Sequence, residues 1–202
     1  MRARVIVVAG PSGSGKSRLC QRLRESSGLP SVNLDDFYKD GTDPTLPRLA
    51  GDGLVDWDDP ASWLPDEAVA TLERLCRDGS AELPDYDISR DGRVGHHRLS
   101  LGGTAYFLAE GIFAQEIVTA CRERGLLADA ICIRNPRIVT FWRRLTRDIR
   151  EHRKPPLVLV RRGLRLLRNE PRVIERAVAL GCRAMSPDDA YAAVTAMVGT
   201  GG

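Results

Sequence analysis

The segment Gly10–Ser17, with the sequence GPSGSGKS, most constrains how this chain can fold. It follows a continuous β-branched run, Arg4–Ala9, which is typical of a strand buried on both faces. It precedes Ser17–Ser26, where apolar residues recur at helical spacing up to a stop at Gly28. A glycine-rich turn that joins a buried strand to a helix is suited to anions, because backbone N–H groups collect at the positive end of the helix dipole. The sequence therefore predicts an α/β fold built around an anion-binding loop.

The same segment satisfies the pattern G-x-x-x-x-G-K-[ST] of a P-loop. The glycines allow the backbone to fold tightly around phosphate oxygens, Lys16 can neutralise the β- and γ-phosphates, and the Ser17 hydroxyl can ligate Mg²⁺. We therefore predict ATP and Mg²⁺ as cofactors. The alternative is a glycine-serine turn before an ordinary helix, which the flanking strand and helix disfavour. The predicted nucleotide site comprises Gly10, Ser12, Gly13, Ser14, Gly15, Lys16 and Ser17.

Further strands and helices alternate along the chain, which predicts a P-loop NTPase fold of three layers, a parallel sheet with helices on both faces. A length of 202 residues suits one domain, 1–202. Strands are expected at 30–34, 103–109 and 128–133, with a hairpin or excursion over 81–98. Helices are expected at 60–76, 112–124, 136–153, 157–167, 171–180 and 188–197.

Two acidic residues follow predicted strands. Asp35 comes after the second strand, and Glu110 ends the strand at 103–109. Ligands of parallel sheets bind beyond the carboxyl ends of the strands, so both residues are expected near Lys16. Phosphoryl transfer to a hydroxyl needs a base, and Asp35 is the predicted base. Glu110 could hold Mg²⁺ through water. The alternatives are a loop or capping aspartate and a helix-capping carboxylate.

Basic residues are concentrated in one part of the chain. Residues 134–176 contain 14 Lys and Arg against 4 Asp and Glu, within a net charge of +3. Arg143, Arg144 and Arg150 each lie three or four residues from Arg147, so the four share one broad helix face. We expect an Arg-rich helical lid at about 143–170 that closes over the phosphates. A solvated basic helix or a nucleic-acid patch is the alternative, and the absence of interleaved aromatic residues disfavours nucleic acid.

Composition restricts the remaining possibilities. No apolar run approaches the ~20 residues that a membrane span needs. The five cysteines are scattered without Cys-x-x-Cys, which favours reduced, buried thiols over a disulfide framework or a zinc site. The three histidines, at 96, 97 and 152, lack the spacing of metal ligands and are expected at the surface. We expect a cytoplasmic protein with a small-molecule substrate and no nucleic-acid or membrane partner, and leave open whether it forms a homo-oligomer.

Short motifs in the right order, over about residues 4–154, resemble the uridine kinase (uridine–cytidine kinase) family. Asp35–Tyr38 resembles the family's Asp-x-Phe-Tyr, and Trp57–Pro60 is similar to its Phe-Asp-His-Pro. Pro84–Asp87 matches Pro-x-Tyr-Asp, Glu110–Ile112 matches Glu-Gly-Ile, and Arg143–Ile149 matches Arg-Arg-x-x-Arg-Asp-Ile.

The resemblance implies Asp35 as the catalytic base, Asp58 at the ribose hydroxyls and Tyr86 in the nucleoside pocket. It also implies Arg144 at the nucleoside and Arg147 at the phosphates. The predicted catalytic residues are Asp35, Lys16 and Arg147, and the predicted substrate site is Tyr38, Asp58, Tyr86, Arg93 and Arg144.

The sequence departs from the family pattern where the base would be read. Ile88 stands where the family usually has a stacking Phe, and Asp91 replaces a His, while Arg93 is kept. The predicted activity is ATP-dependent phosphorylation of the 5′-hydroxyl of uridine or cytidine. Ile88 and Asp91 favour the alternative, a kinase of another small hydroxylated metabolite such as a vitamin precursor, sugar or antibiotic. A non-catalytic nucleotide switch is disfavoured, because the chain lacks the guanine-reading Asn-Lys-x-Asp.

Overall fold

A central parallel sheet organises the protein, whose computed structural model describes residues 2–51, 53–135 and 170–199. The strands are β1 (Arg4–Ala9), β2 (Ser31–Asn33), β3 (Ser80–Asp87), β4 (Gly92–Ser100), β5 (Tyr106–Glu110), β6 (Leu127–Ile133) and β7 (Arg183–Met185). Five of them form the sheet in the order β2-β5-β1-β6-β7, and every neighbouring pair is parallel. The remaining two, β3 and β4, form an antiparallel hairpin. The predicted strand–loop–helix start and the hairpin are confirmed.

Helices cover both faces of the sheet. They are α1 (Lys16–Ser27), α2 (Pro65–Asp78), α3 (Val118–Glu123), α4 (residues 170–179) and α5 (Pro187–Gly199). Alternate residues of β1 point to opposite faces, as the pleat requires. Ile6 and Val8 join a core cluster with α1 and α5 residues. Val5 and Val7 join a second cluster with residues of α2, α3 and α4. The predicted three-layer architecture is therefore confirmed for the described residues.

The helix predicted from Pro60 to about Cys76 is wrong in its first part. Asp59 caps only a 3-10 turn, Pro60–Ser62, by accepting from Ala61 N at 2.8 Å. The backbone is extended at Trp63, whose buried Nε1 donates to Leu34 O at 2.7 Å. Helix α2 then begins at Pro65, since proline lacks an N–H and suits a first helical position. A tertiary hydrogen bond therefore divides what the sequence predicted as one helix.

Smaller differences occur at other element ends. Residues 112–124, predicted as a helix, contain a 3-10 turn, Ala114–Ile117, followed by the short α3. Strand β2 ends at Asn33, and a 3-10 turn, Leu34–Phe37, takes over. The helices predicted at 136–153 and 157–167 lie outside the described residues, as does the predicted lid apart from its last position, 170.

The cysteine prediction is confirmed, because all five thiols are free and buried. Burial raises the pKa of each of them, for example that of Cys121 to about 12. Within the described part of the chain, no helix is long and apolar enough to cross a bilayer.

Candidate active site

The loop between β1 and α1 has a backbone that depends on glycine. Gly10, Gly13 and Gly15 have φ of 139°, 80° and 97°, which side-chain-bearing residues rarely adopt. A Cβ on Gly10 would also lie 2.8 Å from Ile133 O, inside the contact limit. Gly15 precedes α1 and supplies no side-chain cap, so the helix start has no side-chain acceptor of its own. The local sequence thus builds the tight turn that phosphate oxygens require.

Lys16 lies inside this loop with two carboxylates near it. Its side chain is 6% exposed, and Nζ donates to Gly10 O at 2.8 Å and to Pro11 O at 3.2 Å. Burial lowers the pKa of Lys16, and the charges of Asp35 and Glu110 oppose that shift. The structure therefore brings together three residues that are distant in sequence, as the strand-end argument predicted.

The oxygen-bearing side chains of Glu110 and Ser17 lie together at the same edge of the sheet. Glu110 ends β5, which is hydrogen-bonded to β1. Burial raises the pKa of Glu110, while a hydrogen bond with Ser17 and the charge of Lys16 lower it. A hydroxyl and a carboxylate next to a phosphate-binding loop are the ligand types that Mg²⁺ takes in phosphotransferases.

Asp35 is held by the backbone of the segment that follows β5. Its Oδ1 accepts from Ile112 N at 2.9 Å, and its own N–H donates to Asn33 Oδ1 at 3.2 Å. Gly111 makes the approach possible, since a Cβ there would lie 2.9 Å from Asp35 Oδ1. One carboxylate oxygen is thus fixed at the carboxyl end of the sheet near Lys16.

The residues present fit ATP phosphates and Mg²⁺. Ser14 Oγ is fully buried and has no hydrogen-bond partner within the ranges that the structure describes, at the centre of the loop. The loop also combines a cationic Nζ, a glycine at position 10 that leaves no room for a side chain, and the hydrogen-bonded oxygens of Ser17 and Glu110. A donor set of this kind suits a chelated polyphosphate.

A cavity of about 320 Å³ opens beside the loop. One wall belongs to the loop and the segment after β5, and the other belongs to α4. Its lining residues are Pro11, Ser12, Asp58, Pro60, Ile112, Phe113, Gln115, Glu116, Glu170, Arg172, Val173 and Arg176. Arg176 donates to both carboxylate oxygens of Glu116, at 2.7 and 2.6 Å. Sequence reasoning placed Asp58 here but missed Gln115, Glu116 and the α4 residues, because no local motif marks them.

Aromatic rings line the approach between the loop and the hairpin. The Tyr38 ring lies 5.7 Å from Trp57, 5.8 Å from Tyr86 and 5.9 Å from Phe113, between centroids. The Tyr38 hydroxyl donates to Trp57 O at 3.1 Å, and the Tyr86 hydroxyl donates to Lys39 O at 3.3 Å. Burial raises the pKa of Tyr86 to about 12. Tyr86 therefore stays protonated, and both tyrosines make backbone hydrogen bonds.

The remaining residues discussed for substrate binding lie on the hairpin or outside the described residues. Arg93 donates to Glu67 at 2.6 Å, which ties the hairpin to α2. Ile88 is 60% exposed in the turn between β3 and β4. Asp91, with φ of 46°, follows in the same turn, and its carbonyl accepts from Gly41 N at 2.6 Å. Arg144 and Arg147 lie outside the described residues.

The sequence comparisons agree with this geometry. The Phosphoribulokinase / Uridine kinase family matches residues 5–154. The chain belongs to this family. A uridine kinase of Deinococcus deserti is 31% identical over 175 residues, which cover 83% of this chain and 79% of that enzyme. A uridine kinase of Schizosaccharomyces pombe is 30% identical over 151 residues, covering 73% of this chain and 32% of that longer protein. As a member of the Phosphoribulokinase / Uridine kinase family, the protein is an ATP-dependent kinase.

Solved structures support the same fold. A protein described as a candidate fructose transport system kinase, from Silicibacter sp. TM1040, superposes with a TM-score of 0.66. The alignment covers 92% of this chain and 88% of that one, at 18% sequence identity. The P-loop kinase fold is therefore shared with this solved structure across most of the chain.

Proposed function

We propose that this kinase transfers the γ-phosphoryl group of ATP to the 5′-hydroxyl of uridine or cytidine. The observation that carries the proposal is the position of Asp35, held by Ile112 N–H at 2.9 Å and close enough to Lys16 to influence its pKa. Ile112 also lines the cavity that contains Asp58. Ile112 thus connects the cavity that Asp58 lines with the carboxylate of Asp35, and the uridine kinase relatives support the choice of acceptor.

Each residue has a physical task in this proposal. Asp35 accepts the proton of the attacking hydroxyl, because the hydrogen bond from Ile112 N to Oδ1 holds its carboxylate in a fixed orientation. Lys16 exchanges its hydrogen bonds with Gly10 O and Pro11 O for phosphate oxygens. Ser17 and Glu110 hold Mg²⁺, which supplies charge neutralisation at the phosphates when it is bound. The loop amides orient the phosphate chain for in-line attack.

An acceptor panel tests the proposal. ATP consumption would be measured with uridine, cytidine, D-fructose, D-glycerate and a set of vitamin precursors, beside a Lys16→Met variant that reports background. We expect consumption with uridine or cytidine and none with Lys16→Met. Failure of both nucleosides while another alcohol is phosphorylated would show that the nucleoside assignment is wrong.

The hairpin favours a second candidate, a kinase of a smaller hydroxylated metabolite such as a sugar. Ile88 is exposed and aliphatic where a stacking ring would be needed, and Arg93 is engaged with Glu67. The same panel separates the candidates, and an Ile88→Phe variant sharpens the comparison. If the acceptor is a pyrimidine nucleoside, the added ring should lower its KM; if it is a sugar, the KM should not change.

A further inference from the structure

Gln115 is a buried amide in the wall of the cavity beside the phosphate-binding loop. It is 4% exposed and lies in the 3-10 turn Ala114–Ile117, whose first and last residues belong to the core. Its Oε1 atom has no hydrogen-bond partner within residues 2–51, 53–135 and 170–199. Its Nε2 makes a single long contact, 3.4 Å, with Glu116 Oε1. The carbonyl of this amide is therefore buried without a donor.

No donor for Oε1 lies nearby in the part of the chain that the structure describes. Glu116 can only accept while it is ionised, and its carboxylate already receives two hydrogen bonds from Arg176. Buried carbonyl oxygens are nearly always paired, because they lose their hydrogen bonds to water on folding. The residue lines the same cavity as Asp58 and as Pro11 and Ser12 of the phosphate-binding loop. Oε1 itself is shielded from solvent, so a molecule bound in the cavity next to the phosphates would supply its donor once the Gln115 amide turns toward the cavity.

We propose that Gln115 Oε1 accepts a hydrogen bond from the acceptor substrate and selects for acceptors that carry a second donor. This inference rests on the kinase activity proposed above. The acceptor would present one hydroxyl to Asp35 for phosphorylation and another donor, a sugar O–H or a base N–H, to Gln115. A site built to pair with a substrate donor rejects analogues that lack it, because the protein carbonyl is then left buried and unpaired.

The test compares Gln115→Leu with Gln21→Leu, which changes the chain's other glutamine, exposed on α1 and bonded to Glu25. The kcat/KM values would be measured with uridine, 2′-deoxyuridine, 3′-deoxyuridine and N3-methyluridine. The wild type should discriminate by about tenfold or more against the analogue that lacks the donor. Gln115→Leu should lose that discrimination, with the KM for ATP unchanged, whereas Gln21→Leu should behave as the wild type. The analogue that the wild type discriminates against shows whether the donor to Gln115 is a ribose hydroxyl or a base N–H.

Thermal unfolding of the two variants excludes a purely structural role. Removing an unpaired buried carbonyl should leave the Tm of Gln115→Leu equal to or above that of the wild type. A Tm several degrees lower overturns the inference, as does an unchanged kcat/KM or an equal loss with uridine and all three analogues.

Failure of the nucleoside assignment can be distinguished from failure of the inference about Gln115. If D-fructose or D-glycerate is the acceptor instead, the nucleoside assignment fails, and Gln115 is tested on that acceptor. A loss of about tenfold in kcat/KM for Gln115→Leu would then support its role, and no loss would overturn it. If no acceptor works, the Tm of Gln115→Leu decides: a fall overturns the inference, and a Tm equal to or above that of the wild type supports it.

Discussion

Asp35 and Asp36 are adjacent on one 3-10 turn, and their surroundings give them different properties. Asp35 Oδ1 accepts from Ile112 N, and the carboxylate lies near Lys16. Asp36 accepts from Asn33 Nδ2 at 2.9 Å and lies in the field of Asp85 and His97 on the hairpin. Burial raises the pKa of Asp36 to about 6. Only Asp35 combines a fixed orientation with proximity to the phosphate-binding lysine.

Asp35→Asn should remove nearly all phosphoryl transfer. The amide can keep the hydrogen bond from Ile112 N, but it cannot accept the proton of the acceptor, so kcat should fall by about 10²- to 10⁴-fold. ATP affinity, measured by titration calorimetry, should change by less than about threefold, because the phosphate contacts remain. Asp36→Asn is the matched control and should retain most activity. Full activity in Asp35→Asn would show that another group is the base.

Asp36 should also make stability depend on pH. Its folded pKa lies above the ordinary value of 3.8, so the folded state favours the protonated form. The ionised carboxylate therefore costs stability above pH 6, and the cost disappears as the pH falls toward 4. Asp36→Asn should raise the free energy of unfolding by about 1 kcal/mol at pH 7.5, a figure reduced for solvent screening of this half-buried group. Urea unfolding at pH 4 and pH 7.5 measures the effect.

The control for this pH effect is Asp66→Asn, which changes an exposed residue in the first turn of α2. It should not show a gain that grows with pH. An Asp36→Asn protein that is less stable than the wild type at pH 7.5 would contradict the predicted sign.

Among the elements, the junction after β5 is the one that positions Asp35. Gly111 packs so closely that a Cβ would lie 2.9 Å from both Asp35 Oδ1 and Leu34 Cβ. Gly111→Ala should push the carboxylate aside and lower kcat by about tenfold or more, while ATP affinity is preserved. Steady-state kinetics measures both. Gly199→Ala, where a Cβ would meet nothing within 4 Å, should leave kcat unchanged. Equal kcat in both variants would show that the junction tolerates a side chain.

The boundaries of the secondary-structure elements were harder to predict from the sequence than their types. The strand–loop–helix unit at 4–27 was predicted closely, because a buried strand, a glycine turn and a helix stop at Gly28 are local signals. The helix expected from Pro60 failed at Trp63, whose indole bonds to Leu34 O, 29 residues earlier in the chain. No local pattern encodes such a partner.

Ligand binding should stabilise the whole molecule through the loop. ATP at about 100 times its Kd adds about 2.7 kcal/mol to the free energy of unfolding. For a chain of this size the Tm should rise by about 5–10 °C. Lys16→Met should lose most of this shift, because Nζ is the cation that exchanges its loop carbonyls for phosphate oxygens. Scanning fluorimetry with and without Mg–ATP measures it, and an undiminished shift in Lys16→Met would place the nucleotide elsewhere.

At this scale the sequence by itself determined the sheet-and-helix class, the phosphate-binding loop and the acidic residues after β2 and β5. It could do so because strand burial, glycine turns and strand ends are local features of the chain. The tertiary structure decided what the local signals leave open. Packing of α4 against the segment after β5 creates the cavity and buries the unpaired carbonyl of Gln115, and Gly111 lets the N–H of Ile112 reach Asp35. These depend on which distant surfaces meet, and a contact between distant surfaces has no signature within either segment.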